Sequence, residues 1–85
     1  MKKVKMFMFD ECPHCQLALR CLDQLMEEDE YKNIEITQIN EKNNPEIADQ
    51  YDYYFVPTFY VDEKKVHEGH AEMSDVKRVL DLALE

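Results

Sequence analysis

Residues 4–15 read VKMFMFDECPHC, and this stretch decides how the chain can fold. Its first part, Val4–Phe9, is a short run of apolar residues with a high preference for strands, which predicts a buried strand. A helical pattern begins directly afterwards at Pro13, because proline is pre-organised for the first turn of a helix. The stretch therefore places Cys12 and Cys15 at a junction where a strand leads into a helix.

The predicted helix extends from Pro13 to about Asp29 and is amphipathic. At about 100° per residue, Cys15 lies on the apolar face of this helix. The other residues on that face are Ala18, Leu19, Leu22, Leu25 and Met26. Cys12 precedes the helix, so the pattern predicts one exposed cysteine at the helix N-terminus and one buried cysteine a turn later. Cys21 lies at the margin of the apolar face and is predicted to be a small, buried or half-buried side chain, with a regulatory thiol as the alternative.

Two cysteines separated by two residues at a helix start can form a small disulfide, and the exposed cysteine can act as a nucleophile. The unpaired N–H groups and the dipole of the helix N-terminus favour a thiolate at Cys12. Pro13 fixes the turn, and His14 can add a positive charge or a hydrogen bond beside the thiolate. We therefore expect Cys12 to attack a substrate disulfide and Cys15 to resolve the mixed disulfide that forms.

A metal-binding module is the second interpretation of the same cysteines. Thiolates ligate zinc and iron–sulfur clusters, and His67 and His70 would give a nominal set of two cysteines and two histidines. Their spacing matches no compact zinc fold, so surface histidines are the simpler explanation and we assign no metal ligand. Stoichiometric metal in protein purified under reducing conditions would favour this alternative.

The rest of the chain predicts alternating strands and helices. A second strand is expected at Ile34–Ile39, followed by a short helix from Glu46 to about Tyr51. Thr58–Val61 and Lys65–His67 then have the pattern of an antiparallel pair of strands, joined by the polar residues 62–64.

A last helix is predicted to begin at Ser74, which is a favourable N-cap, with Asp75 near the positive end of the helix. Its apolar residues recur at helical spacing and are Val76, Val79, Leu80 and Ala83. The predicted fold class is α/β, in the order β-α-β-α-β-β-α, with a four-stranded mixed sheet flanked by helices. We expect one domain that spans residues 1–85.

Composition limits the function classes. The chain has 85 residues, of which 45% are hydrophobic, and this is enough for one small core. A net charge of −9 argues against nucleic acid and anionic membranes as partners. The run Val4–Phe9 is too short for a signal peptide or a membrane span, and three cysteines do not suggest a disulfide framework, so we expect a cytoplasmic protein.

The segment Cys12-Pro13-His14-Cys15 after a first strand resembles the redox centre of the thioredoxin superfamily. Val56-Pro57-Thr58 before a strand, with Gly69 beyond a hairpin, resembles the cis-proline loop of that superfamily. The length and the single strand before the motif look most like glutaredoxins and small glutaredoxin-like proteins. The resemblance implies the thioredoxin fold and a protein-disulfide oxidoreductase.

By the same resemblance, the Val56–Pro57 peptide is cis and an extended substrate segment pairs with the backbone at Val56. Substrate contacts are then expected from Val56, Pro57, Thr58, Gly69 and the aromatic residue Tyr54. The neighbouring aromatics Tyr53 and Phe55 are also expected to line the groove in which such a substrate segment would dock.

The resemblance also implies the partners. The redox-active Cys12–Cys15 disulfide is the only cofactor expected, and the expected substrates are protein or small-molecule disulfides. The expected reductant is glutathione or a thioredoxin-reductase-like flavoprotein. The protein is expected to be a monomer. Where glutaredoxins usually carry a basic residue before the first cysteine, this chain has Asp10 and Glu11, and its turn has Gly69 without a second glycine. Both departures argue against a complete glutathione site.

Overall fold

A computed structural model describes residues 1–85 and contains four strands and three helices. The strands are β1 (Val4–Met8), β2 (Ile36–Asn40), β3 (Thr58–Val61) and β4 (Lys64–Glu68). The helices are α1 (Pro13–Leu25), α2 (Pro45–Ala48) and α3 (Met73–Leu84). The order β-α-β-α-β-β-α and the mixed sheet confirm the predicted fold class.

β1 is a central strand of the sheet, whose strand order is β2-β1-β3-β4. It pairs in parallel with β2 and antiparallel with β3, so that Phe7 lies opposite both Ile39 and Thr58. Strand alternation sends Phe7 and Lys5 to one face and the other apolar residues of β1 to the opposite face. The charge of Lys5 is accommodated because its ammonium group reaches the hydroxyl of Tyr51, at 2.7 Å, and the carboxylate of Glu63.

Each face of the sheet carries an apolar core. The larger core combines β1 and β3 with the apolar faces of α1 and α3. Its fully buried residues include Met6, Cys15, Phe59, Val76 and Leu80. The smaller core contains Phe7, Ile39 and Tyr60 and is covered by α2 and the loop that follows it. None of the three helices is long and apolar enough to cross a membrane.

The end of α1 differs from the prediction. The helix ends at Leu25, whereas the sequence pattern predicts its end near Asp29. The acidic run Glu27–Glu30 would lie at the negative end of the helix dipole, where carboxylates are unfavourable. The chain instead turns, and Tyr31 becomes fully buried in the larger core.

The start of α3 also differs, because Glu72 and not Ser74 is the N-cap. The Glu72 side chain accepts a hydrogen bond from the third helical amide, and the Asp75 carboxylate accepts one from the Glu72 amide at 2.9 Å. This reciprocal capping box satisfies two free N–H groups. A cap at Ser74 would not form such a box with the residues that follow it. The prediction of Ser74 was therefore wrong.

Two shorter segments also differ from the prediction. α2 covers Pro45–Ala48, earlier and shorter than predicted. The β3–β4 hairpin turns on two residues, because Asp62 and Glu63 both take positive φ values, 47° and 70°. A two-residue turn of this kind matches the twist of the paired strands, so β4 begins already at Lys64.

The packing of α3 predicts that alanine substitutions at two leucines one turn apart differ strongly in their effect on the free energy of unfolding. Leu80 is fully buried, so Leu80→Ala should lower the free energy of unfolding by about 2–5 kcal/mol. Leu84 is 38% exposed, and Leu84→Ala should change it by about 0.5 kcal/mol or less. Urea denaturation followed by circular dichroism measures both values, and equal losses in the two variants would contradict this packing of α3.

Candidate active site

The two motif cysteines lie where β1 leads into α1. Cys12 is the N-cap residue of α1, with an extended backbone, and Pro13 occupies the first helical turn as predicted. The Cys12 amide donates to the Phe9 carbonyl at 3.3 Å, and the Cys12 carbonyl accepts the Gln16 amide at 3.0 Å. All three cysteines are free thiols. The dithiol therefore lies at the positive end of the helix dipole.

Cys15 is fully buried on the apolar face of α1, as predicted. Burial raises the pKa of the Cys15 thiol to about 12. A hydrogen bond with the Phe9 backbone lowers this pKa, whereas a hydrogen bond with the Cys12 side chain and the charge of Glu41 raise it further. Cys15 is therefore protonated at neutral pH.

Cys12 is less accessible than predicted. The sequence pattern predicts an exposed cysteine, but only 7% of Cys12 is exposed and it belongs to the larger core. A helical wheel describes α1 alone, whereas the burial of an N-cap residue is decided by the segments that pack over the helix end. Among these, Phe9 and Val56 pack against the same core. Only a small part of Cys12 is therefore accessible, beside the exposed residues Pro13 and His14.

The loop before β3 has the predicted cis peptide between Val56 and Pro57. Pro57 is buried, and its carbonyl accepts the Gly69 amide at 2.8 Å, which ties the loop to the turn after β4. The Thr58 hydroxyl donates to the Phe55 carbonyl. Gly69 has a φ of +92°, a backbone conformation that side-chain-bearing residues rarely adopt. A side chain at this position would meet only an ordinary contact at 3.8 Å, so the conformation and not the available space requires glycine.

Two aromatic side chains project from the loop before this cis peptide. Tyr54 is 85% exposed and Phe55 is 68% exposed. Their backbone amides both donate to the carboxylate of Glu68, which also accepts Lys65 at 2.8 Å. The hydrogen bond from Lys65, followed by those from the two amides, lowers the pKa of Glu68 to about 2. The loop thus presents exposed aromatics on a backbone that is anchored to β4.

A groove of about 390 Å³ lies beside this loop, lined by residues that include Glu41, Lys42, Tyr53 and Tyr54. Tyr53 is half-buried and its hydroxyl donates to Glu41 at 2.8 Å, so it serves packing as well as the groove. Lys42 forms an ion pair with Glu11 at 3.4 Å. A hydrogen bond within Glu11 and the one from Lys42 lower the pKa of Glu11. The negative charge of Glu11 is therefore partly neutralised beside the cysteine motif.

A contact that the sequence did not indicate joins His14 to His70. Their Nδ1 atoms are 2.9 Å apart and their rings meet edge to face, at an interplanar angle of 85°. The other ring nitrogen of His70, Nε2, lies 3.1 Å from the Glu72 carboxylate. His70 is a surface histidine as expected, but its position next to the motif follows from the turn at Gly69 and could not be read from the spacing of residues.

The second interpretation of the cysteines finds no support in the geometry. No group of three or more histidine, cysteine, aspartate or glutamate side chains is arranged to hold a metal ion. The Nε2 atom of His67 lies 2.8 Å from the His70 carbonyl, and His70 itself is engaged by His14 and Glu72.

Comparison with known proteins adds a family to this geometry. The chain matches the thioredoxin domain family over residues 2–81. A mutant thioredoxin from Halobacterium salinarum is 23% identical, with a TM-score of 0.74 over 99% of this chain and 75% of that one. An uncharacterised thioredoxin-like protein from Clostridium perfringens is 27% identical, with a TM-score of 0.68 over 98% and 71% of the two chains. The thioredoxin of Fasciola hepatica is 20% identical, with a TM-score of 0.74 over 96% and 80%. No curated protein matches the chain.

The anchor at Glu68 predicts that the aromatic loop loosens in acid. Because the folded pKa of about 2 lies below the ordinary value of 4.5, the carboxylate stabilises the folded loop above that value and loses this effect as the pH falls from 4.5 towards 2. Amide hydrogen exchange, corrected for the intrinsic rate, should show protection of Tyr54 and Phe55 decreasing over this range.

A Glu68→Gln variant should show the lower protection already at neutral pH and lose the acid transition. The matched control is Glu46→Gln, which removes an exposed carboxylate that accepts no hydrogen bond from this loop and should leave protection of the loop unchanged. Full protection of both amides in Glu68→Gln would mean that Glu68 does not anchor the loop.

Proposed function

Since this chain belongs to the thioredoxin domain family, we propose that it is a thiol–disulfide oxidoreductase in which Cys12 attacks and Cys15 resolves. The observation that carries this proposal is the fully buried thiol of Cys15 on the apolar face of α1, three residues after Cys12 at the N-cap of the same helix. One thiol is held neutral by burial while the other lies at the positive end of a helix, which is the asymmetry that an attacking and a resolving thiol require.

The reaction proceeds in two exchanges. The Cys12 thiolate attacks one sulfur of a substrate disulfide, the substrate S–S bond breaks, and the departing sulfur takes up a proton. Cys15 then loses its proton and attacks the Cys12 sulfur of the mixed disulfide, which releases the second substrate sulfur as a thiol. Over the two exchanges the protein gives up two electrons and the proton of Cys15, and a second proton comes from the solvent, so the substrate disulfide becomes two thiols.

Groups around the motif favour the first exchange. The helix N-terminus and a protonated His14 stabilise the Cys12 thiolate, and Pro13 fixes the turn that holds it there. The ion pair between Lys42 and Glu11 weakens the nearest opposing negative charge. These effects favour the reduced form of the pair and therefore make its disulfide more oxidising.

We propose that the substrate binds as an extended segment along the cis-proline loop. The backbone of Val56 makes no hydrogen bond within the chain, so it is free to pair with a substrate strand. Pro57, Thr58 and Gly69 hold this edge in place through the contacts described above, and Tyr54 offers an exposed ring to an apolar side chain of the substrate. With a net charge of −9, the protein favours neutral or basic substrates.

The electron donor is proposed to be glutathione or a thioredoxin-reductase-like flavoprotein, with the protein acting as a cytoplasmic monomer. The acidic residues before Cys12 and the single glycine of the turn after β4 favour the flavoprotein, because glutathione brings two carboxylates that these residues do not attract. Turnover coupled to each donor in turn distinguishes the two.

The division of labour between the cysteines predicts opposite outcomes for three serine substitutions. Cys15→Ser should accumulate a mixed disulfide through Cys12, because the resolving thiol is absent. Cys12→Ser should abolish turnover and form no adduct. Cys21 is buried and distinct from the motif, so Cys21→Ser is the matched control and should retain turnover. Non-reducing gels and mass spectrometry identify the adduct and the cysteine that carries it.

The wild-type protein should also show one two-electron transition in glutathione buffers of graded potential, confined to Cys12 and Cys15. The potential is expected between about −270 mV, as in thioredoxin, and about −120 mV, as in strongly oxidising relatives. An absence of any adduct in Cys15→Ser with several disulfides would overturn the proposal. Thiols that react only after addition of a chelator would replace it with a metal-binding function.

A further inference from the structure

The pair of imidazoles beside the cysteine motif has a hydrogen-bond pattern that fixes where protons lie. The carboxylate of Glu72 can only accept, so the Nε2 atom of His70, 3.1 Å away, carries a hydrogen. A neutral His70 then has a lone pair on Nδ1. Because this atom lies 2.9 Å from the Nδ1 atom of His14, the hydrogen between them belongs to His14.

This arrangement leaves one site for an additional proton at the motif. With Nδ1 of His14 donating to His70, the Nε2 atom of His14 carries the free lone pair and takes up the next proton. The resulting imidazolium donates to His70, which in turn donates to the Glu72 carboxylate, so the positive charge is stabilised along a chain of charge-assisted hydrogen bonds. A second proton would put hydrogens on both Nδ1 atoms and break the contact. The two imidazoles therefore accept one proton as a unit.

We propose that His70, oriented by Glu72, is a positioning residue for the redox reaction, because it selects the tautomer of His14 and stabilises the positive charge of His14 beside the Cys12 thiolate. The inference rests on the proposed function, since it assigns a role in the reaction of Cys12. It adds a residue that is 58 positions away from Cys12 in the sequence and reaches the motif only through the fold.

Other titratable groups on the segments that meet at this pair belong to four places. They are Cys12 and Cys15 of the motif, Asp10 and Glu11 before it, His67 and Glu68 at the end of β4, and Glu72 and Asp75 at the start of α3. The carboxylate of Glu68 accepts from Lys65 and from the amides of Tyr54 and Phe55. Glu11 is paired with Lys42, Asp75 accepts the Glu72 amide, and His67 contacts the His70 carbonyl and not its ring. This leaves Glu72 as the carboxylate in contact with the imidazole pair.

The test is a double-mutant cycle read out through the reactivity of Cys12. His70→Phe removes the acceptor and keeps a ring, whereas His70→Asn keeps an acceptor near the position of Nδ1. The rate of Cys12 alkylation by iodoacetamide is measured between about pH 5 and pH 9, where histidines and thiols titrate. His67→Gln is the matched control, and circular dichroism checks that each variant is folded.

His70→Phe should lower the rate of Cys12 alkylation at neutral pH on the order of tenfold, as expected for the loss of one hydrogen bond to a charged group. The reduction potential should become more negative by about 30 mV, the equivalent of that factor for a two-electron couple. His70→Asn should recover most of both changes, and His67→Gln should leave both unchanged. In a His14→Phe background, His70→Phe should have no further effect.

Nitrogen-15 NMR of the wild-type protein adds a direct readout, and neutral His14 should be the Nδ1–H tautomer. Unchanged reactivity in His70→Phe, or an equal loss with and without His14, would overturn the role of His70 while the Cys15→Ser adduct still forms. If that adduct fails to form, the proposed function fails. An Nδ1–H tautomer of His14 that is lost in His70→Phe would then show that the imidazole contact exists but has no redox role.

Discussion

The burial of Cys15 in the larger core is the constraint on which the rest of the site depends. Four residues separate the end of β1 from the start of α1, and the apolar face of α1 joins Met6 and the rest of the larger core. Cys15 shares that face, so its sulfur is removed from water and held as a thiol. Cys12 is then fixed at the helix N-terminus directly before it. The distinction between the two cysteines is therefore a result of how α1 packs into the larger core.

Charge around the motif has to be arranged locally, because the protein as a whole carries a net charge of −9. A thiolate in such a protein is disfavoured by the surrounding field unless nearby groups oppose it. The ion pair of Lys42 with Glu11 lies next to the motif and reduces negative potential there, and the proposed protonation of the imidazole pair at His14 would act in the same direction. Glu72 contributes twice, since it caps α3 and accepts from His70. Two carboxylates near the motif are thus each paired with a neighbouring side chain, Glu11 with Lys42 and Glu72 with His70.

The cis-proline loop is held by one backbone hydrogen bond, from Gly69 to Pro57, and by the carboxylate of Glu68 at the end of β4. Gly69 accommodates the positive φ of that turn, Glu68 anchors two amides of the loop, and Pro57 is covered by the surrounding structure. Because these anchors leave the aromatic rings of Tyr54 and Phe55 in solvent, the loop is ordered in its backbone and adaptable in its contact surface.

Local sequence determined the element order, the strand-to-helix junction at the motif and the buried position of Cys15, because these follow from hydrophobic periodicity and from proline at a helix start. It did not determine the burial of Cys12, the end of α1 or the cap of α3. Burial of Cys12 depends on segments distant in sequence, α1 ends where Tyr31 enters the core, and Glu72 caps α3 through a reciprocal contact with Asp75. The contact of His14 with His70 was decided by tertiary structure alone, since residues 56 positions apart meet only when the hairpin folds back beside the start of α1.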